Sequence, residues 1–284
     1  MPYTTLISTD VLATNLEAGW VLADCRYDLH ADAWGGDQYL AAHIPGAGYV
    51  SLSHDLSAAP TGANGRHPLP SCDSMAATFS RLGISGDVQV VAYDQDSGMF
   101  ASRLWWMLRY AGHGHVAVLD GGWGKWIAEG RPTRSGNETP AAAIFTPAWR
   151  HDWHVDVNAV AGLYEDPGTL LLDARAPERF EGRVEPLDRL PGHIPGATNH
   201  PYRSNLTANN TMLPPETLRE QFVRDLRGHS PAQTVMYCGS GVTACQNLLA
   251  MEHAGLPGAR LYVGSWSEWS ADPDRPVETG PSRR

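Results

Sequence analysis

His43-Ile44-Pro45-Gly46-Ala47 returns 150 residues later as His193-Ile194-Pro195-Gly196-Ala197. Outward from this pair the chain goes on repeating itself. Upstream, WVLADCR (20–26) has a counterpart in LLLDAR (170–175), each an apolar run closed by Asp-x-Arg. Downstream, Val91-Ala92-Tyr93-Asp94 returns as Val235-Met236-Tyr237-Cys238, and AGHGHVAVLDGGWGKW (111–126) as AGLPGARLYVGSWSEW (254–269). Four blocks in the same order, at offsets that drift only from 150 to 143, indicate a duplicated unit with small loop insertions.

The length, 284 residues, suits two domains of about 140. Each half reads as strand, HIPGA turn, helix, strand, loop, helix, strand, helix. Apolar strands alternating with helices predict an α/β fold, a mainly parallel sheet flanked by helices on both faces. In the second half the pattern predicts strands near 170–173, 234–237 and 260–262, and helices near 215–227 and 243–254. GRPTRSGNETPAAA (130–143) is rich in Gly, Pro and small polar residues and reads as a linker. The expected domains are therefore 1–145, with the linker near 130–145, and 146–284. The repeated HIPGA turns and the Trp123/Trp126 and Trp266/Trp269 pairs read as structural.

Composition narrows the function. Hydrophobic residues make up 42% and the net charge is −10. No basic stripe is present, so nucleic acid is not an expected partner, and any anion must be held by local positive groups. The N-terminus lacks a basic segment followed by an apolar run, and no stretch is long and apolar enough to span a bilayer. A soluble cytoplasmic protein without a membrane partner is expected. Four cysteines (25, 72, 238 and 245) without a CxxC pair suggest thiols, not a disulfide framework or zinc. No cofactor or metal is implied.

The two copies differ in chemistry at one place. YDQDSGMFAS (93–102) corresponds to YCGSGVTACQ (237–246). Cys238, Gly239, Ser240, Gly241, Val242 and Thr243 run from a strand end into a helix start. Two glycines in four residues let successive N–H groups face one point, and the helix adds its positive end. A sulfur there would be held as a thiolate, the nucleophile needed to attack a sulfane sulfur. The same amides would hold the outer sulfur of a persulfide. Asp94 cannot carry a persulfide, and the two acidic side chains of DQDSGM are expected to stand where an amide ring would form. The first half therefore reads as a non-catalytic copy. Cys25, Cys72 and Cys245 read as structural thiols.

The doubled architecture, the two HIPGA turns and CGSGVTA resemble the tandem rhodanese-domain sulfurtransferases, the 3-mercaptopyruvate and thiosulfate sulfurtransferase family. The resemblance implies two rhodanese-like domains. It also implies a small anionic sulfur donor and a thiophilic acceptor such as cyanide, a small thiol or a thioredoxin-like protein. CGSGVT is similar to the loop of the mercaptopyruvate branch, whereas the thiosulfate branch carries basic residues after the cysteine. Matched residue by residue, Arg179 is implied to bind the anionic end of the donor. Ser240, His67 and Asp55 are implied to form a proton relay, the last two reaching across the cleft in the mercaptopyruvate enzymes. A second carboxylate-binding arginine of that branch has no clean match here. Its position falls at Leu187 or Asp188, with Arg183 and Arg189 as candidate substitutes. Three readings stay open: a mercaptopyruvate-preferring enzyme with weaker thiosulfate activity, a thiosulfate enzyme, and a non-catalytic rhodanese-like binding module. A Cys-based phosphatase is disfavoured, because positions 239–247 contain no arginine to close a phosphate loop.

Overall fold

The structure, a computed structural model, describes residues 1–282. The chain divides into two compact units. The first comprises Met1–Ala58, Pro70–Arg150 and Ala208–Met212; the second comprises Ala59–Leu69, His151–Thr207 and the chain from Leu213 onward.

Each unit contains one five-stranded, all-parallel sheet. In the first the strands are β1 (Leu6–Ile7), β2 (Val21–Asp24), β3 (Ala47–Tyr49), β4 (Val90–Tyr93) and β5 (Val116–Leu119), in spatial order β1-β5-β4-β2-β3. In the second they are β6 (His154–Val155), β7 (Leu170–Asp173), β8 (Thr198–Asn199), β9 (Thr234–Tyr237) and β10 (Arg260–Tyr262), in order β6-β10-β9-β7-β8. The three strands expected in the second half lie where the apolar runs put them. The edge strands β6 and β8, two residues each, were too short to give a periodic signal.

Every residue of β7 and β9 is buried, as expected of strands covered by helices on both faces. Leu171, Val235 and Tyr237 pack with Trp266 and Trp269 on one side. Leu172 and Met236, pointing the other way, are equally buried. The expected helices are present as Pro215–Leu226 and Thr243–His253. Register matters for function. Asp173 pairs with Tyr237 across β7 and β9, so both strands end together and Cys238 emerges at the carboxyl edge of the sheet, where open α/β sheets place their sites.

The repeated Asp-x-Arg motif explains why the HIPGA turn is where it is. Arg175 grips Asp173 through Nε (3.0 Å to Oδ2) and Nη2 (2.7 Å), and Nη2 also donates to the Gly192 carbonyl at 2.6 Å. In the first unit Arg26 grips Asp24 and donates to the Ala42 carbonyl at 2.6 Å. In both copies the arginine ties a strand end to the residue just before the HIPGA histidine. Tyr237 Oη accepts from the Ile194 amide at 3.3 Å, and Tyr93 Oη from the Ile44 amide at 3.2 Å. Both pairs are buried.

Two expectations need correction. The segment near 130–145 is not a free linker. Arg134 bridges to His43, Gly136 donates to Leu40 O at 2.8 Å, Ala143 donates to Ser80 O at 2.9 Å, and Phe145 is buried. Its Gly- and Pro-rich composition serves a packed, irregular path over the first unit, and the units part at Arg150/His151. Secondly, the first copy's loop does form an amide ring. The Asp94 carboxylate sits inside it, accepting from Gly98 N (2.9 Å), Phe100 N (2.7 Å), Ala101 N (3.2 Å) and Asp96 N (3.2 Å). Asp96 turns its own carboxylate away, to Asn210 Nδ2 at 3.2 Å. Burial pushes Asp94 up to about 6 against the pull of these N–H groups, so it is largely ionised at neutral pH.

Two predictions follow from these contacts. Asp173→Asn removes the carboxylate that takes most of the buried Arg175's N–H bonds and leaves Glu185 as its remaining acidic partner, so equilibrium urea unfolding should show a loss of about 1.5–3 kcal/mol. Asp94→Ala leaves the first loop's amides without an acceptor, which should lower the melting temperature. Because formate has the shape and charge of the deleted carboxylate, adding it should recover part of the loss, and acetamide should not.

Candidate active site

Cys238 is buried, with its sulfur receiving the Gly241 amide at 3.2 Å. Gly241 has φ +74°, and a β-carbon on it would lie 2.3 Å from the Val263 carbonyl oxygen. Only glycine fits both the left-handed backbone and the close approach. From Val242, helix Thr243–His253 begins. The loop is held from outside by the GSWSEW segment. Cys238 N donates to Ser265 Oγ (3.1 Å), Trp266 N to Cys238 O (2.9 Å) and Ser267 N to Gly239 O (2.9 Å). Ser265, which corresponds to Gly122 in the repeated block, adopts φ +55° and is fully buried. The helix itself is fixed by buried amides: Asn205 Nδ2 donates to Gln246 Oε1 (2.9 Å) and Asn247 Oδ1 (2.7 Å).

The two loops of the chain correspond closely. Gly98 N bonds the near oxygen of Asp94, and Gly241 N bonds the Cys238 sulfur. Trp123 N donates to Asp94 O as Trp266 N donates to Cys238 O. In the first loop the next amides along, Phe100 and Ala101 at the start of their helix, hold the second carboxylate oxygen. Counted from the positive-φ glycines Gly98 and Gly241, one residue having been lost from the second loop, the corresponding residues are Thr243 and Ala244 at the start of helix Thr243–His253.

Ser240 accompanies the cysteine. Its hydroxyl lies 2.8 Å from His67 Nδ1, and both side chains are buried. His67 is carried by Ala59–Leu69, a stretch of the sequence's first half that belongs to the second unit. Asp55 belongs to the first unit, where it accepts from Ser51 N at 2.8 Å and from Arg81 Nη2 at 2.5 Å.

Arg179 stands at the loop. A β-carbon on Gly239 would lie 3.5 Å from its Nη1. Its Nη2 pairs with Glu185 (2.7 Å) and Asp188 (3.0 Å). Glu185 also pairs with Arg175 Nη1 at 3.3 Å. Arg183 is exposed and paired with Glu181 at 2.7 Å, and Arg189 donates to the Ala271 carbonyl at 3.2 Å. Among the described residues neither makes a hydrogen bond or ion pair with the cysteine loop. Arg66, which the sequence reading passed over beside His67, reaches the loop instead. Its Nη2 would lie 2.9 Å from a β-carbon on Gly239, and its Nη1 pairs with Asp188. Burial and the neighbouring Arg179 cation lower the hold of Arg66 on its proton, while Cys238 and Glu185 oppose this. The signal that could have found it was local: Arg66 lies in GRHPLP, the stretch already singled out for its histidine.

Cys245 Sγ donates to Gly241 O at 3.2 Å from within the helix, and Cys25 is buried in the first unit, where burial and Asp24 push its thiol up. None of the four cysteines is in a disulfide. Among the described residues no group of three His, Cys, Asp or Glu side chains could hold a metal ion, and no helix is long and apolar enough to cross a membrane.

The family described as "Rhodanese-like domain" matches residues 8–129 and again 156–272. A relative named probable 3-mercaptopyruvate sulfurtransferase, from Pseudomonas aeruginosa, is 43% identical over 97% of this chain and 98% of its own. A putative thiosulfate sulfurtransferase of Mycobacterium tuberculosis is 40% identical over 97% of each. Among solved structures, 3-mercaptopyruvate sulfurtransferase from Leishmania major superposes with a TM-score of 0.83 at 31% identity, covering 94% of this chain and 74% of that one. With both units matched and the relatives aligned over nearly their whole length, this chain belongs to the rhodanese family as a tandem, two-domain member.

Proposed function

We propose that the chain is a sulfurtransferase that moves a sulfane sulfur from 3-mercaptopyruvate, and more weakly from thiosulfate, through a Cys238 persulfide to a thiophilic acceptor. The observation that carries this reading is the Cys238 loop, whose sulfur receives the Gly241 amide just before a helix start, as the Asp94 carboxylate in the corresponding first loop receives the Gly98 amide. Curated relatives bearing both sulfurtransferase names support the reaction class.

The Cys238 thiolate attacks the donor sulfur. A sulfur–sulfur bond forms as the donor's carbon–sulfur bond breaks, and the electron pair leaves on carbon as the pyruvate enolate. That carbanion needs a proton. Ser240 is placed to deliver one, with His67 Nδ1 at 2.8 Å to replace it. The thiol proton of the donor remains on the outer sulfur or is lost to water, leaving a persulfide whose anion the loop amides hold. Thiosulfate needs no such proton, because sulfite leaves as a stable anion. Cyanide or a thiolate then attacks the outer sulfur, and the electron pair returns to Cys238 as the thiolate. The scheme is ping-pong and draws on no metal or organic cofactor. A reducing, cytoplasmic setting suits a chain whose four cysteines form no disulfide.

Cys238→Ser should abolish transfer from either donor, and intact-mass analysis after donor treatment should show one added sulfur on the unaltered protein and none on the variant. Transfer surviving in Cys238→Ser would refute the persulfide. Ser240→Ala should lower kcat for 3-mercaptopyruvate by about a hundredfold or more and affect thiosulfate far less. Equal losses, or thiosulfate as the better donor by kcat/KM, would favour the thiosulfate reading. Gly241→Ala should cut kcat/KM at least tenfold with both donors and cost about 1–3 kcal/mol in stability, read by donor titration and urea unfolding.

A further inference from the structure

The geometry points to Arg66 as a second donor-anchoring arginine, acting with Arg179 on the donor's carboxylate and held in place by Asp188. This rests on the sulfur-transfer reading above and names the group that fixes its donor.

Three observations converge. First, Arg66 Nη2 and Arg179 Nη1 are the atoms nearest the β-carbon position of Gly239, at 2.9 and 3.5 Å, so two guanidinium groups flank the residue that follows the nucleophile. Secondly, those two nitrogens make no hydrogen bond among the described residues. The bonds of the two arginines run through the opposite corners: Arg66 Nη1 to Asp188, and Arg179 Nε and Nη2 to Glu185 and Asp188. Thirdly, a single carboxylate bridges the pair, with Asp188 Oδ1 on Arg66 and Oδ2 on Arg179. Asp188 is 3% exposed, while Arg66 and Arg179 keep 30% and 18% of their side-chain surface open. The acid is buried and the two cations present unused N–H groups beside Cys238.

The physical logic is that of a fork. One planar guanidinium offers two parallel N–H bonds to a carboxylate; two guanidinium groups aimed at one point hold it from both sides and fix its direction. Like charges so close repel, and Asp188 screens that repulsion on the side away from the nucleophile. Position 188 is one of the two where an arginine was sought. An acid stands there and the cation comes from position 66, on another segment. The Arg66 backbone is pinned by its amide to Ser267 Oγ at 3.1 Å, on the turn that braces the cysteine loop.

The test uses the full chain and two donors, 3-mercaptopyruvate and an uncharged alkyl hydropersulfide that lacks a carboxylate. With Arg66→Ala, KM for 3-mercaptopyruvate should rise at least tenfold while kcat changes less than threefold. Transfer from the hydropersulfide should stay within twofold. Arg66→Lys should recover part of the KM, since it keeps the charge without the fork. The exchange Arg66→Asp with Asp188→Arg restores both the ion pair and an arginine at the loop, and should lower KM below that of Arg66→Asp alone. An unchanged KM in Arg66→Ala, or equal losses with both donors, would overturn the assignment. If Arg66→Ala does not fold, Arg66→Lys and the exchange decide it by the same criteria. Failure of the unaltered protein to transfer sulfur from either donor would instead refute the sulfur-transfer reading itself.

Discussion

The second unit is organised around the buried ion pair of Asp173 and Arg175. The arginine spends its N–H groups on the carboxylate at the end of β7, on the Gly192 carbonyl before the HIPGA turn and on Glu185, and its guanidinium lies 4.8 Å from the Trp266 ring centroid. Each contact fixes a different part of the site. Trp266 follows Ser265 in the brace on the cysteine loop. Glu185 passes the constraint outward to Arg179, which stands beside Gly239 of the cysteine loop. A charge so buried is costly to strand without its partners, so the strand end, turn, brace and Arg179 hold together as a unit. The first unit repeats the arrangement with Arg26, Asp24 and Ala42 and places Arg26 4.4 Å from the Trp123 ring.

The duplication also gives the molecule an internal comparison. One scaffold makes two loops at corresponding strand ends. In one, the Asp94 carboxylate takes the loop's amides; in the other, the Cys238 sulfur stands at the same point and receives the Gly241 amide. The chemical difference between the copies therefore does not lie in whether an amide ring forms. It lies in the residue at the ring's centre and in the company it keeps. The second loop has Ser240 with His67, and two arginines at Gly239, whereas the first has Asp94 filling the ring it sits in.

Much of the architecture was legible in the sequence because it rests on periodicity and repetition. The apolar runs 170–173 and 234–237 read as buried strands because they are short and alternate with helical segments, and the Cys-Gly-Ser-Gly step from strand to helix reads as a tight, amide-rich turn. The order of the four repeated blocks determined that there are two sheets of the same design. Cys238 could be singled out for the same reason, since it stands where the two copies differ at a strand end the pattern set; Ser240 and Arg179 came only from the resemblance to the sulfurtransferase family.

What the tertiary structure alone decided concerns contacts between segments far apart in the chain. That residues 59–69 join the second unit, bringing His67 to Ser240 and Arg66 to Gly239, depends on a loop path with no periodicity to reveal it. That the stretch 130–145 packs as a strap depends on scattered bonds to His43, Leu40 and Ser80. The bridging of Arg66 and Arg179 by Asp188 looks, in sequence, like the loss of an arginine. Charge complementarity acts through space, so an acid at one position and a cation more than a hundred residues away make a site that neither position discloses by itself.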